Sequence, residues 1–372
     1  MSESSVGMPG HLDPGARALI ARAAGAETRA RIALRAAIDD VFVAPEARLD
    51  DRTRAALVTL IDLLVATIEG ELREHAVKLL VARGAGPVAL ALGEDPAPLV
   101  GRLATAGLLR DDDFIGECLA RVRLELIAAA LPPEAPNEPD TPSLLARLTG
   151  SSDRVVASAA RAVMAGESHR RAGSDGATLA ASGLPARLHD RLVWWIAAAL
   201  RERVAAGGAP DLATLDRALA EAALRNIAAN DGADRLEAAA MRLAEAIDAQ
   251  PDELAMLLDE ALRDRRPVVA VALLARALDV NFELARELVL DPAGDRLWLA
   301  MRALDLPRTA IARMGYRLCE ADPRRDIEAF ADALDVAASV DAEVSRMAIA
   351  PLRLHPDYRA ALLALDRAEA AR

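Results

Sequence analysis

The sequence predicts an all-α fold, arranged as a stack of antiparallel helical hairpins: a degenerate HEAT-like α-solenoid. Three observations carry that expectation. Hydrophobic residues make up 53% of the 372 but aromatics only 2%, so alanine, leucine and valine must fill the core. Alanine and leucine are strong helix formers, while aromatic strand formers are scarce. Second, apolar residues recur at intervals of three and four through most of the chain. Third, the C-terminal third carries two periodic marks. Prolines at 251, 267, 292, 307 and 323 include gaps of 15 and 16 residues, each room for a helix of about three turns plus a connection. Ala-Leu-Asp recurs at 277–279, 303–305, 333–335 and 364–366, its leucines 26, 30 and 31 residues apart. A period of about 30 built from two short helices signals hairpins that bury their apolar sides only by stacking.

Residues 1–12 show no helical pattern and are expected to be disordered. A first helical block is expected over 13–130. Within it, 14–43 reads as two helices parted at Gly25, and Pro45 closes the segment. Residues 49–83 form a long helical pattern through Leu57, Leu60, Ile61, Leu64, Val65, Ile68 and Leu72, with Gly70 a candidate division. Gly84 and Gly86 end it, and Pro87 can open the next helix. Two more helices follow, around 99–103 and 114–131. Residues 131–143, LPPEAPNEPDTPS, carry five prolines and three acids. Proline removes a backbone donor and clashes with the preceding turn, so this stretch is neither helix nor central strand. It reads as a linker between the first block and a second at 144–372.

The second block begins with short helices at 143–148 and 155–168. PLVGRLATAG at 98–107 and PSLLARLTGS at 142–151 share one form, an apolar helix with Arg-Leu before a small polar turn. Residues 173–183 are rich in Gly, Ala and Ser and read as a loop. Residues 184–204, LPARLHDRLVWWIAAALRERV, hold two of the three tryptophans and read as one helix with Pro185 at its first position. Gly207, Gly208 and Pro210 stop it. Beyond, Gln250-Pro251, Asp291-Pro292 and Asp322-Pro323 read as helix starts, a cap followed by proline.

The segments SLLARLTGSSDRVVASAARAVMA, LPARLHDRLVWWIAAALRERV and ALLARALDVNFELARELVLD, with LWLAMRALDLPRTAIARM, resemble a bacterial family of helical-repeat proteins, domain-of-unknown-function family 2336. The resemblance covers most of the chain after about residue 50 and is thinnest at the start. Leu-His-Asp-Arg-Leu-Val-Trp-Trp is its most specific string. It implies a HEAT-like helical fold and carries no catalytic residues.

The formal net charge is −12, which opposes nucleic-acid binding, because phosphate contacts need a basic face. Lys78 is the only lysine, so arginines must pair with the many carboxylates. Read as surface helix pairs, these are worth about 0.2–0.5 kcal/mol each. Cys118 and Cys319 belong to no CxxC, which suggests a reducing compartment and no zinc site. The start of the chain has no basic-then-apolar leader. The longest apolar run, 192–200, is about half of the roughly 20 residues a membrane span needs. A cytoplasmic protein without a membrane span is expected.

Possible chemistry is thin. VKLLVARGAGPVALALG offers a Gly-x-Gly turn, but Val88 and Ala89 stand where a dinucleotide fingerprint continues toward glycine, and the preceding rhythm is helical. Asp111, Asp112 and Asp113 could hold magnesium or could cap a helix start. His189 is the sharpest candidate. Leu-His-Asp-Arg-Leu resembles the phosphoacceptor string of some sensor histidine kinases, with Asp190 as the acid beside the imidazole and Arg191 next. Val193, Trp194 and Trp195 replace the Gly-Gln that often follows. A wheel puts His189 beside Val193, Ile196 and Leu200, the position of a satisfied core histidine. Trp194 and Trp195 point about 100° apart, so one packing inward leaves the other for a second layer, a groove or a partner. The remaining histidines are scattered, and no Gly-x-Ser-x-Gly or Walker loop occurs. The function expected is that of a non-enzymatic cytoplasmic scaffold or adaptor that binds a protein or peptide, with no cofactor, metal or nucleic acid. The alternative is a histidine phosphotransfer module centred on His189.

Overall fold

The computed structural model describes residues 48–93, 98–132, 142–175, 179, 182–208, 211–230, 232–355, 357–359, 361–362 and 365. The expected disordered start, the two helices around Gly25, most of the proline-rich stretch and, but for Leu365, the last Ala-Leu-Asp lie outside them. The chain divides into two compact units, residues 1–54 and 55–372. Of the first unit only residues 48–54 are described. There the Thr53 amide donates to Asp50 Oδ1 at 2.8 Å, the mark of a helix N-cap. The described residues form α-helices with short 3₁₀ turns and no strand. None of these helices is long and apolar enough to cross a membrane.

Helix α1 spans Asp51–Ala82 without interruption. Gly70 does not divide it, contrary to expectation. A helical glycine costs about 1 kcal/mol against alanine, and burial of Leu64, Val65, Ile68 and Leu72 around it outweighs that. Gly84 takes φ +73° after the helix, and α2, Gly86–Gly93, opens at once. The Gly-x-Gly stretch is therefore a turn between helices, not a strand-to-helix entry. Helices α3, Val100–Thr105, and α4, Asp112–Ala130, follow. Beyond the proline-rich stretch come α5, Leu144–Thr149, and α6, Arg154–Asp175.

The similarity between 98–107 and 142–151 has a structural counterpart. Each segment forms a six-residue helix, α3 or α5, leading to a long one. Its arginine, Arg102 or Arg147, reaches a glutamate on a later helix, Glu202 or Glu260.

Next come α7, Ala186–Ala206, and α8, Leu212–Ala229, which pack against each other. Then α9, Leu236–Ile247, α10, Pro251–Arg263, α11, Pro267–Leu278, and α12, Phe282–Leu290, surround the centre of the core. Helix α11 reads PVVAVALLARAL and buries residues on every side. It packs against α4, α9, α10 and α12. The last are α13, Asp295–Ala303, α14, Arg308–Ala321, α15, Ile327–Ser339, and α16, Ala342–Ile349. Some successive helices pack together, as α5 with α6, α7 with α8 and α10 with α11, but the most extensive packing joins α6 to α9, α9 to α11 and α13 to α16, and α4 packs on α11, α12 and α14 from the far side of the proline-rich stretch.

Pro251 and Pro267 stand in the first turn of their helices as expected. Asp291-Pro292 and Asp322-Pro323 do not begin helices. Asp291 and Asp322 are the C-caps of α12 and α14. Each accepts from an amide two residues on, Ala293 at 3.3 Å and Arg324 at 3.1 Å. Such Asx-turns delay the next helix, which starts after Gly294 or Asp326. Ala-Leu-Asp also divides. Asp279 and Asp305 end α11 and α13 in the left-handed region, φ 56° and 57°, which aspartate tolerates. The copy at 333–335 lies inside α15, so this triplet does not mark one recurring position.

Candidate functional site

Pro185 is the N-cap of α7, one residue before its expected place, with extended ψ of 140°. The first turn then aims His189 inward, where it is 4% exposed. Its Nδ1 lies 2.9 Å from Ser182 Oγ and its Nε2 lies 3.0 Å from Asn226 Oδ1 on α8. Asn226 Nδ2 donates to Glu71 on α1, so its oxygen is the atom facing the ring. The network assigns the proton to Nε2 and makes Nδ1 the acceptor of the Ser182 hydroxyl. Ser182 Oγ also accepts the Leu184 amide at 3.3 Å. Burial pushes the imidazole below its ordinary value, although Asn226 and Asp190 pull it up. A neutral ring with both nitrogens engaged is a poor nucleophile.

Asp190 is half-buried beside it. Arg191 pairs with Asp111 and lies 3.9 Å from Asp113. Arg187, one turn earlier, donates to Asp113 at 2.8 Å. Asp111 is the N-cap of α4 and accepts the Phe114 amide at 2.9 Å. The aspartate triplet thus caps a helix and anchors α7. Among the described residues no group of acids, histidines or cysteines is placed to hold a metal ion. Trp195 stands edge-on to buried Phe114, ring centroids 6.1 Å apart and planes at 79°. Trp194, on the next face of the helix, is 43% exposed.

Behind this helix lies a set of buried charges that nothing in the local sequence pattern distinguishes. Arg286 forks onto Glu117, Nη1 to Oε1 at 3.1 Å and Nη2 to Oε2 at 2.6 Å. Arg235 reaches the same Oε1 at 3.4 Å and the Gly183 carbonyl at 3.1 Å. Arg170 donates to Glu237 Oε1 at 2.7 Å. Arg121 donates to Glu125 at 3.0 Å and to the Ser182 carbonyl at 3.0 Å. The pairs made by Arg286, Arg235 and Arg170 are buried and, but for Arg235–Glu237, join residues far apart in sequence, whereas Arg121–Glu125, at i,i+4, is a pair of the expected kind, as are Arg171–Glu167 and Arg346–Glu343 elsewhere. The buried groups tie α4, α6, α9 and α12 to the loop before α7. Burial opposes the Glu237 charge, but Arg170 and Arg235 overcome it and hold the carboxyl at about 2. Cys118, inside the same region, has its thiol pushed up to about 12 by burial and is inert.

No family model, curated protein or solved structure matches the chain.

Proposed function

We propose that this protein is a non-catalytic scaffold or adaptor that binds a protein or peptide partner across its helical surface, with Trp194 as the anchor. The single observation that carries the reading is Trp194 itself. Of the three tryptophans it is the exposed one, at 43%, while Trp298 is buried and Trp195 is part-buried. Tryptophan is the residue type most enriched at binding hot spots. Its neighbour Trp195 is held by Phe114, and Arg187 and Arg191 fix the helix to α4, so the indole is presented on a rigid support.

The finer architecture belongs to the same proposal. Stacked hairpins of a degenerate HEAT-like kind, as in the domain-of-unknown-function family 2336, are supported by the α3 and α5 equivalence and by the pairing of α5 with α6, α7 with α8 and α10 with α11. A repeat surface presents elongated faces suited to peptides; the step from fold to binding is an analogy. A cytoplasmic setting agrees with the two unpaired cysteines. No observation favours phosphotransfer at His189, whose ring is enclosed and hydrogen-bonded on both sides.

The test is affinity capture from the native cell extract followed by mass spectrometry, comparing wild type with Trp194→Ala at equal helical content. Partners held by wild type and lost by the variant support the reading. Retention of every partner by the variant removes Trp194 from the site.

A further inference from the structure

Helices α15 and α16 carry an exposed apolar face. Of the sixteen large apolar side chains exposed among the described residues, seven lie between residues 327 and 365. Scattered singly over the surface they would need no explanation; gathered in one stretch they do. Helix α16 packs on α13 and buries Ser345 and Ile349. Val344 and Met347 stand about 140° and 160° around the helix from Ile349, and they are 50% and 62% exposed. A helix with apolar residues on opposite sides is suited to lie between two layers, and one of them is present among the described residues. Val336, 65% exposed, stands in the last turn of α15, across the two-residue connection at 340–341.

The rim of this face is acidic. Residues 326–359 hold seven aspartates and glutamates against three arginines. Each of those arginines donates to a backbone carbonyl: Arg346 to Ala303 at 3.4 Å, Arg353 to Leu278 at 3.0 Å and Arg359 to Leu352 at 3.4 Å. The acids face outward. Glu328, Asp332 and Asp335 follow one another at i, i+4 and i+7 along α15, which has no basic residue, on the side away from buried Phe330 and Leu334. Asp335 meets Arg308 in an exposed pair, and Glu343 meets Arg346. Glu328 and Asp332 meet no guanidinium among the described residues. An exposed pair is worth little, so an incoming cation can replace Arg308. A second copy of the chain fits this face poorly. A twofold contact brings the same acids of the two copies together, and like charges repel across an interface.

We propose that α15 and α16 dock a basic amphipathic helix of another protein. Its apolar side covers Val336, Val344 and Met347, and its arginines or lysines reach Glu328, Asp332 and Asp335. The face is carried by other helices than the one that bears Trp194, and the proposal does not depend on that residue.

The experiment is fluorescence anisotropy of a labelled synthetic peptide of alanine, leucine and arginine, its leucines on one helical face, titrated with the full chain. A peptide of the same composition in scrambled order is titrated beside it. The expected result is saturable binding of the amphipathic peptide that weakens as salt rises, and clearly weaker binding of the scrambled one. Met347→Ser should weaken binding about fivefold or more. Glu328→Gln/Asp332→Asn should lower both the affinity and its salt dependence. All three positions are exposed, so the variants keep the fold. Leu224→Ser, at a leucine 58% exposed on α8, and Trp194→Ala should leave binding unchanged. Absence of saturable binding by wild type, equal binding of the scrambled peptide, or a Met347→Ser effect no larger than that of Leu224→Ser or Trp194→Ala overturns the proposal. A dimer of the free chain that Met347→Ser abolishes, seen by sedimentation, also overturns it, because the second copy is then the occupant.

Discussion

Replacing Glu117 by Gln should cost the folded protein about 3–5 kcal/mol, the range for breaking a buried ion pair from one side. Glu117 and Arg286 are each less than one-tenth exposed, and their fork has lengths of 3.1 and 2.6 Å. The amide keeps the volume but turns a donor toward a guanidinium, leaving Arg286 charged and buried. Arg235, 3.4 Å from the same oxygen, keeps only the Gly183 carbonyl and Glu237 at 3.7 Å. Urea unfolding followed by helical circular dichroism reads the loss as a fall in midpoint. Glu202→Gln, breaking the exposed pair with Arg102, is the control and should move the midpoint little. The double variant Glu117→Leu/Arg286→Met should recover part of the loss, because it removes the Arg286 charge as well and leaves Arg235 with the Gly183 carbonyl and Glu237. If Glu117→Gln shifts the midpoint no more than Glu202→Gln, these buried pairs do not hold the helices together.

Gly315→Ala should destabilise by about 1–3 kcal/mol through overpacking, because a Cβ there meets the Phe330 ring at 2.1 Å. Gly70→Ala, with nothing within 4 Å, should stabilise by up to about 1 kcal/mol; thermal unfolding of the two variants should move in opposite directions. The Glu237 carboxyl is held at about 2 against a reference of 4.5, so its stabilisation is complete above pH 4.5 and lost as pH falls toward 2. Glu237→Gln should therefore flatten the acid limb of a stability–pH curve over that window. His189 is lowered from 6.5, so stability is retained above that pH and declines as pH falls below it; His189→Gln should remove that decline in the same curve. Cys118 should resist alkylation in the native protein and react only on unfolding, as peptide mapping would show.

Much of the fold was legible because helices announce themselves locally. The leucine and valine spacing of 49–83 located α1, and the aspartates before Phe114 located the cap of α4. The Asp-Pro pairs misled, since an aspartate cap at a helix start and an Asx-turn after a helix end look alike over two residues. Of the candidate site, the enclosure of His189 followed from the helical wheel. Its partners did not, because Ser182 lies in a loop and Asn226 on another helix. The buried charges were illegible for the same reason. Glu117 and Arg286 are 169 residues apart, and neither differs locally from an arginine or glutamate on a solvated face. The proline-rich stretch looked like a boundary, yet α4 and α11 pack across it, since apolar area rather than chain continuity decides which helices meet.

The most direct test is the equilibrium affinity of a captured partner for wild type and for Trp194→Ala, both verified as folded. A hot-spot indole is worth about 2 kcal/mol or more, roughly a 30-fold change in Kd. A loss of that size is the predicted result; affinities within twofold of each other would contradict the role given to Trp194.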